Sequence, residues 1–236
     1  MSLLPLTARA QPLEPRASGL RPASVWALDD ARTPPTFGDS AARLTLIWLS
    51  ARSPEDPSSF VDLGPIMNVG TQDFTISHWY RTTFGRPQSL LGDILGNRVA
   101  PSNGNFIAVR LRSNGTLSVE LDQDDGGSNY VAADSGQRTI NDGAWHFLTY
   151  TRRGGLLALY LDGQLVARNS TASGEPTNLN SPVGLRLGRT LSYPNHATIP
   201  GGYADVRILY GRALDEREIR NLLVASRERY GVLLSR

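Results

Sequence analysis

The stretch from residue 142 to residue 167 constrains the fold of this chain more than any other part. Asp142 and Gly143 precede an apolar run that ends at Tyr150, and a second apolar run covers Leu156 to Leu161. The second run turns back at Asp162-Gly163. Asp-Gly between alternating apolar runs predicts a tight hairpin, because both turn residues need positive φ. The stretch therefore predicts consecutive antiparallel strands.

Two further segments carry the same type of signal. The segment from Phe74 to Arg81 alternates, which predicts one face with Phe74 and Ile76 and an opposite face with Trp79. Phe106 to Leu111 and Thr116 to Asp122 flank an Asn-Gly pair, which predicts a second hairpin. Short strands with regular turn signals are typical of a two-sheet sandwich.

The chain is predicted to close with a helix over residues 215–229. The Asp215 side chain can accept a backbone hydrogen bond at the N-cap, and Glu218, three residues later, completes a capping box. Leu214 before the cap and Ile219 after it match a hydrophobic staple. Ile219 and Leu222 then share one helical face.

Taken together, these motifs resemble the laminin-G-like and concanavalin A-like jelly-roll superfamily. The similarity rests on the Asp142 to Gly163 passage, on the Phe74 to Arg81 strand and on the run from Gly201 to Leu222, and it covers roughly Phe60 to Leu223. It implies an all-β fold: a two-sheet antiparallel jelly-roll sandwich with a short C-terminal helix and an extended N-terminal arm. Members of the superfamily bind glycans, bind proteins, build particles or, in one branch, cleave polysaccharides.

Residues 1–24 differ from the rest of the chain. Four prolines interrupt this segment, which disfavours a helix and favours extended chain. Its scattered leucines favour an arm that lies on a neighbouring subunit over a solvated tail. We expect residues 1–24 to contact protein subunits of a larger assembly, a homo-oligomer included, and residues 25–236 to form the sandwich.

Composition excludes several kinds of chemistry. The chain has no Cys, and all 24 of its basic residues are Arg, so disulfides, thiolates and Schiff-base lysines are absent. A net charge of +2 gives no reason to expect a nucleic-acid partner. No apolar run approaches the roughly 20 residues that span a bilayer, so we expect no membrane insertion, and we expect no removable signal peptide.

The Glu120-Leu121-Asp122-Gln123-Asp124 segment is the strongest catalytic motif. The laminarinase-like branch of the superfamily carries E-x-D-x-E on a strand, with its first Glu as nucleophile and its last as acid/base. In this chain the last position is Asp124, and Cα atoms four residues apart on a strand lie about 13 Å from each other. The shorter side chain works against the separation near 5 Å that a retaining glycosidase needs. We expect no catalysis, with a degenerate glycosidase as one alternative.

Clustered side-chain oxygens suggest a calcium site around the same segment. Its candidate ligands are Asp122, Asp124, Asp125 and Asn129. Hard cations take such oxygen ligands, and laminin-G-like domains often bind calcium at loop edges. The acidic run that pentraxins carry before the last strand is absent, and a solvated Asp-Gly loop is the competing interpretation.

Five residues are candidate ligand contacts. Trp79 faces away from Phe74 and Ile76, so it is either covered by the C-terminal helix or a loop, or exposed to stack on a sugar ring. Arg189 to Tyr203 is predicted to be a long loop, and loops on a rigid sandwich often carry recognition residues. Its candidates are Tyr193, Asn195, His196 and Tyr203.

We interpret the chain as a non-catalytic attachment or assembly protein. The leading prediction is a virion-associated capsid decoration or adhesion protein on the virion surface, which rests partly on fold-level analogy. The alternative is a bacterial carbohydrate-binding module, extracellular or on the cell surface, with glycans as partners.

Overall fold

The computed structural model describes residues 41–49, 60–84, 92–99, 104–188, 197–199 and 201–234. The elements run as follows: β1 Ala41–Leu49, β2 Val61–Asp62, β3 Phe74–Arg81, β4 Gly92–Gly96, β5 Phe106–Leu111, β6 Thr116–Gln123, β7 Ser128–Thr139, β8 Trp145–Arg153, β9 Leu156–Leu161, β10 Gln164–Ser170, β11 Arg186–Leu187, β12 Ala197–Thr198, β13 Gly201–Tyr210 and α1 Glu216–Leu234. The predicted arm, residues 1–24, lies outside the described residues.

The strands form two sheets that face each other. The first sheet has the order β1-β13-β3-β8-β9-β10, and the second has the order β2-β11-β4-β5-β6-β7. Neighbours in both orders are antiparallel, while β12 joins β4 in parallel. The predicted all-β sandwich with a C-terminal helix is confirmed by these two sheets and by α1.

The hairpins lie where the turn chemistry places them. Asp162 and Gly163 have φ values of 53° and 77°, so both adopt the left-handed conformation that joins β9 to β10. Gly115, with φ of 83°, closes the β5–β6 hairpin, where a Cβ would lie 2.1 Å from the Asn141 side chain. Glycine is therefore required at this position by both conformation and space.

The main core lies between the two sheets. Phe74, Ile76 and Tyr80 of β3 point into it, as the alternation predicts. His78 lies on the same face, in contact with Tyr150, whose hydroxyl is 3.1 Å from its Nε2 atom. Burial lowers the pKa of His78 to about 4, so this histidine is neutral at physiological pH.

A second core forms between the first sheet and α1. Trp79 and Phe147, with ring centroids 5.1 Å apart, pack against Ile219 and Leu222. Asp215 accepts from the Glu218 amide at 2.8 Å, and Glu218 accepts from the Asp215 amide at 2.9 Å, so the predicted capping box is confirmed. The helix extends to Leu234, beyond the predicted end at residue 229.

A hydrogen-bond chain fixes the helix to the sheet. The Trp79 indole donates to the Ser226 hydroxyl at 2.7 Å, and Ser226 donates to the Asp205 carboxylate at 2.6 Å. Asp205 is fully buried at φ of 51°, where the β13 register shifts, and it is paired with Arg207. These groups satisfy one another away from water, which is the condition for burying them at acceptable cost.

Among the described residues, no helix combines the length and the apolar character that crossing a bilayer requires.

Replacing Ser226 by Ala should destabilise the protein by about 2 kcal/mol, because the buried Trp79 N–H loses its acceptor. Urea unfolding followed by tryptophan fluorescence measures the free energy of unfolding. Val224→Ala, on an exposed position of the same helix, is the matched control and should change stability by less than about 0.5 kcal/mol. Equal losses in the two variants would contradict the role assigned to Ser226.

Candidate functional site

The outer face of the second sheet, turned away from the core, carries the candidate site. Strand alternation sends Ile107, Val109 and Leu111 into the core and leaves the other β5 side chains on the outer face. On β7, Val131 and Ala133 point inward, so Tyr130 and its even-numbered neighbours point outward. The outer face carries Phe106, Ala108, Arg110, Ser118, Glu120, Asp122, Tyr130, Ala132 and Asp134.

Ion pairs between arginines and carboxylates lie at the centre of this face. Arg110 contacts Glu120 at 2.8 Å through Nη1 and Asp93 at 3.5 Å through Nε. Arg98 lies 3.7 Å from the other Glu120 oxygen, and its guanidinium stacks 4.6 Å from the centroid of the Phe106 ring. Because these side chains are largely buried, their positions are held before any ligand arrives.

Asp122 is a buried carboxyl on the same face. It is 1% exposed, and its Oδ1 accepts from the Gln123 amide at 2.9 Å. Desolvation raises the pKa of Asp122 to about 6, with Arg98 acting in the opposite direction. The carboxyl therefore titrates near neutral pH, unlike an ordinary surface aspartate.

Exposure increases toward the β7 edge of the sheet. Tyr130 is 46% exposed, and burial of its remainder raises its phenol pKa, with the Glu120 charge acting in the same direction. Asp134, four residues along β7, is exposed and pairs with Arg112 at 2.6 Å. We refer to Tyr130, Ala132, Asp134 and the partly exposed Glu120 as the Tyr130 surface. It is an aromatic ring beside fixed hydrogen-bonding groups.

Two predicted ligand contacts are wrong. Trp79 is 3% exposed and covered by α1, so its ring cannot stack on a sugar. The sequence predicts Tyr203 at the end of a loop, but it lies in β13, fully buried, and its hydroxyl donates a hydrogen bond to the Ile94 carbonyl at 2.8 Å. The remaining contacts, Tyr193, Asn195 and His196, lie outside the described residues and stay predictions.

The proposed calcium ligands do not converge. Asp122 is buried on the outer face and accepts a hydrogen bond from the Gln123 amide. Asp124, in contrast, accepts hydrogen bonds from the Gly126 and Ser128 amides of its own turn. The Asn129 side chain bonds Ser173 at 2.5 Å, across to another loop. Asp125 is exposed on the turn. Across the described ranges, no three Asp, Glu or His side chains group so as to hold a metal ion.

The carboxylates of the Glu120 to Asp124 segment also have structural roles. Glu120 is paired with Arg110 and Arg98, while the Asp124 carboxylate closes the β6–β7 turn. Neither group is placed opposite the other across a cleft in the way that paired glycosidase carboxylates require.

His146, which follows Trp145 at the start of β8, has a hydrogen-bonding partner on each side. Its Nδ1 lies 2.9 Å from Asp162 and its Nε2 lies 3.0 Å from Asp142. The hydrogen bond with Asp162 is the main cause that raises the pKa of His146. The imidazole thus joins the two Asp-Gly segments, which is a structural role.

The family of the chain follows from its sequence. A model of the Laminin_G_3 family, described as the concanavalin A-like lectin/glucanases superfamily, matches residues 56–220. The chain therefore belongs to this superfamily, as its motifs predict. No curated protein matches it significantly in sequence.

Solved structures share the fold at low sequence identity. The CBM40 domain of the Ruminococcus gnavus IT-sialidase, bound to α2,3-sialyllactose, is 16% identical with a TM-score of 0.59, over 77% of this chain and 98% of that one. The binding domain of Paraclostridial Mosquitocidal Protein 1 is 19% identical with a TM-score of 0.57, over 78% of this chain. The chain spans only 42% of that structure.

A third similar structure is the binding domain of botulinum neurotoxin DC in complex with rat synaptotagmin II. It is 16% identical with a TM-score of 0.55, over 79% of this chain and 46% of that one. The TM-scores establish a shared fold, and at identities this low the ligand of this chain depends on its own residues.

Asp122→Asn should raise the free energy of unfolding at pH 7 by about 1 kcal/mol. The folded state binds the Asp122 proton more tightly than the unfolded state, so stability falls as pH rises between about 4 and the folded pKa of about 6. Asparagine removes this penalty and keeps the bond from Gln123. Urea unfolding at pH 4 and pH 7 tests the effect.

Asp134→Asn, on an exposed carboxylate of the same face, is the control for the Asp122 variant. It should lower stability by less than about 1 kcal/mol at pH 7, as exposed ion pairs contribute little. A gain from Asp122→Asn of the same size at both pH values would contradict the assigned titration.

Proposed function

We propose that this protein is a non-catalytic carbohydrate-binding domain and that the Tyr130 surface contacts the glycan. The observation that carries the proposal is an aromatic ring, 46% exposed, on a sheet face whose other central side chains are buried. An aromatic ring packs against the apolar face of a pyranose, and flanking charged groups hydrogen-bond its hydroxyls. The similar sialidase domain with bound sialyllactose supports a glycan ligand for this fold.

The geometry also supports binding rather than hydrolysis. A glycosidase needs one carboxyl to protonate the leaving group and a second, opposed to it, to act as nucleophile or base. Glu120 is held by two arginines, and Asp124 is hydrogen-bonded within its own turn. The buried Asp122 titrates near pH 6, yet it is 1% exposed and thus shielded from a ligand.

A strand rises about 3.4 Å per residue, so the Cα atoms of Tyr130 and Asp134 lie about 13 Å apart. An oligosaccharide would contact both residues, whereas a single sugar would contact only one. Attachment to a glycan-coated surface is the role that follows from such a site. Placement on a virion, and assembly through residues 1–24, stay predictions.

Tyr130→Ala should reduce glycan affinity at least tenfold, since the stacking platform is removed. Binding of the full chain to a glycan array, followed by calorimetry on the best oligosaccharide, measures the effect. Tyr130→Phe keeps the ring and should retain most of the affinity.

Leu165→Ala is the matched control, because Leu165 is an exposed apolar residue on β10 of the first sheet. It should leave binding unchanged. Wild-type binding that survives Tyr130→Ala would move the site elsewhere, and the absence of any bound glycan would overturn the proposed function.

A further inference from the structure

The arginines of the outer face are already paired with carboxylates of this chain. Arg110 forms ion pairs with Glu120 and Asp93, and Arg98 forms an ion pair with Glu120. At the exposed end, the Arg112 guanidinium lies 2.6 Å from the Asp134 carboxylate. A carboxylate on a ligand would have to compete with these partners for each cation.

Breaking the inner pairs is unfavourable. The side chains of Arg110 and Arg98 are less than one-tenth exposed, and Glu120 is 13% exposed. Removing one member of a buried pair leaves its partner charged and desolvated, which is strongly destabilising. Glu120 is therefore expected to keep both arginines when a ligand binds.

Counted over the described residues alone, this face carries a net negative charge. Arg98, Arg110 and Arg112 stand against four carboxylates, those of Asp93, Glu120, Asp122 and Asp134. An anionic sugar at the Tyr130 surface would lie beside like charges, which oppose binding. Neutral hydroxyls, in contrast, can donate to Glu120 and Asp134 and accept from Arg112.

We propose that the Tyr130 surface selects neutral oligosaccharides and discriminates against those that carry a sialic acid or another carboxylate. This inference rests on the proposed function and gives its ligand class. It separates this chain from the structurally similar sialidase domain, which was solved with α2,3-sialyllactose bound. The selection would arise from the paired state of the arginines of this chain.

The test uses matched glycans that differ only in a terminal sialic acid, such as lactose and α2,3-sialyllactose, on an array of many such pairs. The full chain should bind neutral members at least tenfold more tightly than their sialylated partners. A preference for the sialylated members would overturn the inference and leave the proposed function standing. Binding to no glycan would overturn both.

Asp134→Asn provides the decisive variant, because it releases Arg112 while keeping the size of the side chain. The ratio of neutral to sialylated affinity should fall severalfold. Glu228→Gln, which removes one negative charge at an exposed position of α1, is the control and should leave the ratio unchanged. An Asp134→Asn ratio equal to that of wild type would overturn the charge-based selection, even if neutral glycans bind.

Discussion

The packing of α1 on the first sheet is the contact on which the rest of the structure depends. Strand β3 carries apolar residues on both faces, so its second face needs a cover other than the opposite sheet. The helix supplies this cover, with Ile219 and Leu222 against Trp79 and with Ser226 bonded to the Trp79 indole. Burial on both sides makes the central strands of the first sheet a rigid layer and removes them from ligand contact.

The second sheet differs because no described helix covers its outer face. Charged side chains lie there instead of an apolar row, and they form ion pairs over β4, β5 and β6. This arrangement leaves an accessible strip along β7, where Tyr130 is exposed. The division of the two sheets into a covered layer and a polar layer thus positions the candidate site.

The sequence is sufficient to predict those features that depend on local chemistry. The Asp162-Gly163 turn, the capping box of Asp215 and Glu218, and the two faces of β3 follow from turn propensity, capping and alternation. In contrast, alternation tells which residues share a face but not what covers that face. Alternation alone thus allows Trp79 to be either covered or exposed, and its contact with α1 decides between the two.

The site residues were harder to predict for the same reason. Tyr203 follows two glycines, which are typical of a loop, yet its pairing with Tyr80 places it inside β13. Tyr130 follows a polar turn, and its exposure depends on the contacts of β6 and β7, which lie outside any local pattern. The pairing of Arg110 with Asp93 joins different strands and has no signal at fixed spacing. Alternation along 128–134 indicates that Tyr130, Ala132 and Asp134 share one face, but it does not tell whether that face is exposed.

The most direct test of the account locates the ligand on the folded protein. Backbone amide resonances of the ¹⁵N-labelled full chain would be followed during titration with a neutral oligosaccharide selected on the array. We expect shifts concentrated at residues 118–122 and 128–134, with little change in α1. Shifts concentrated on the helix or on the first sheet, with β7 unchanged, would contradict it.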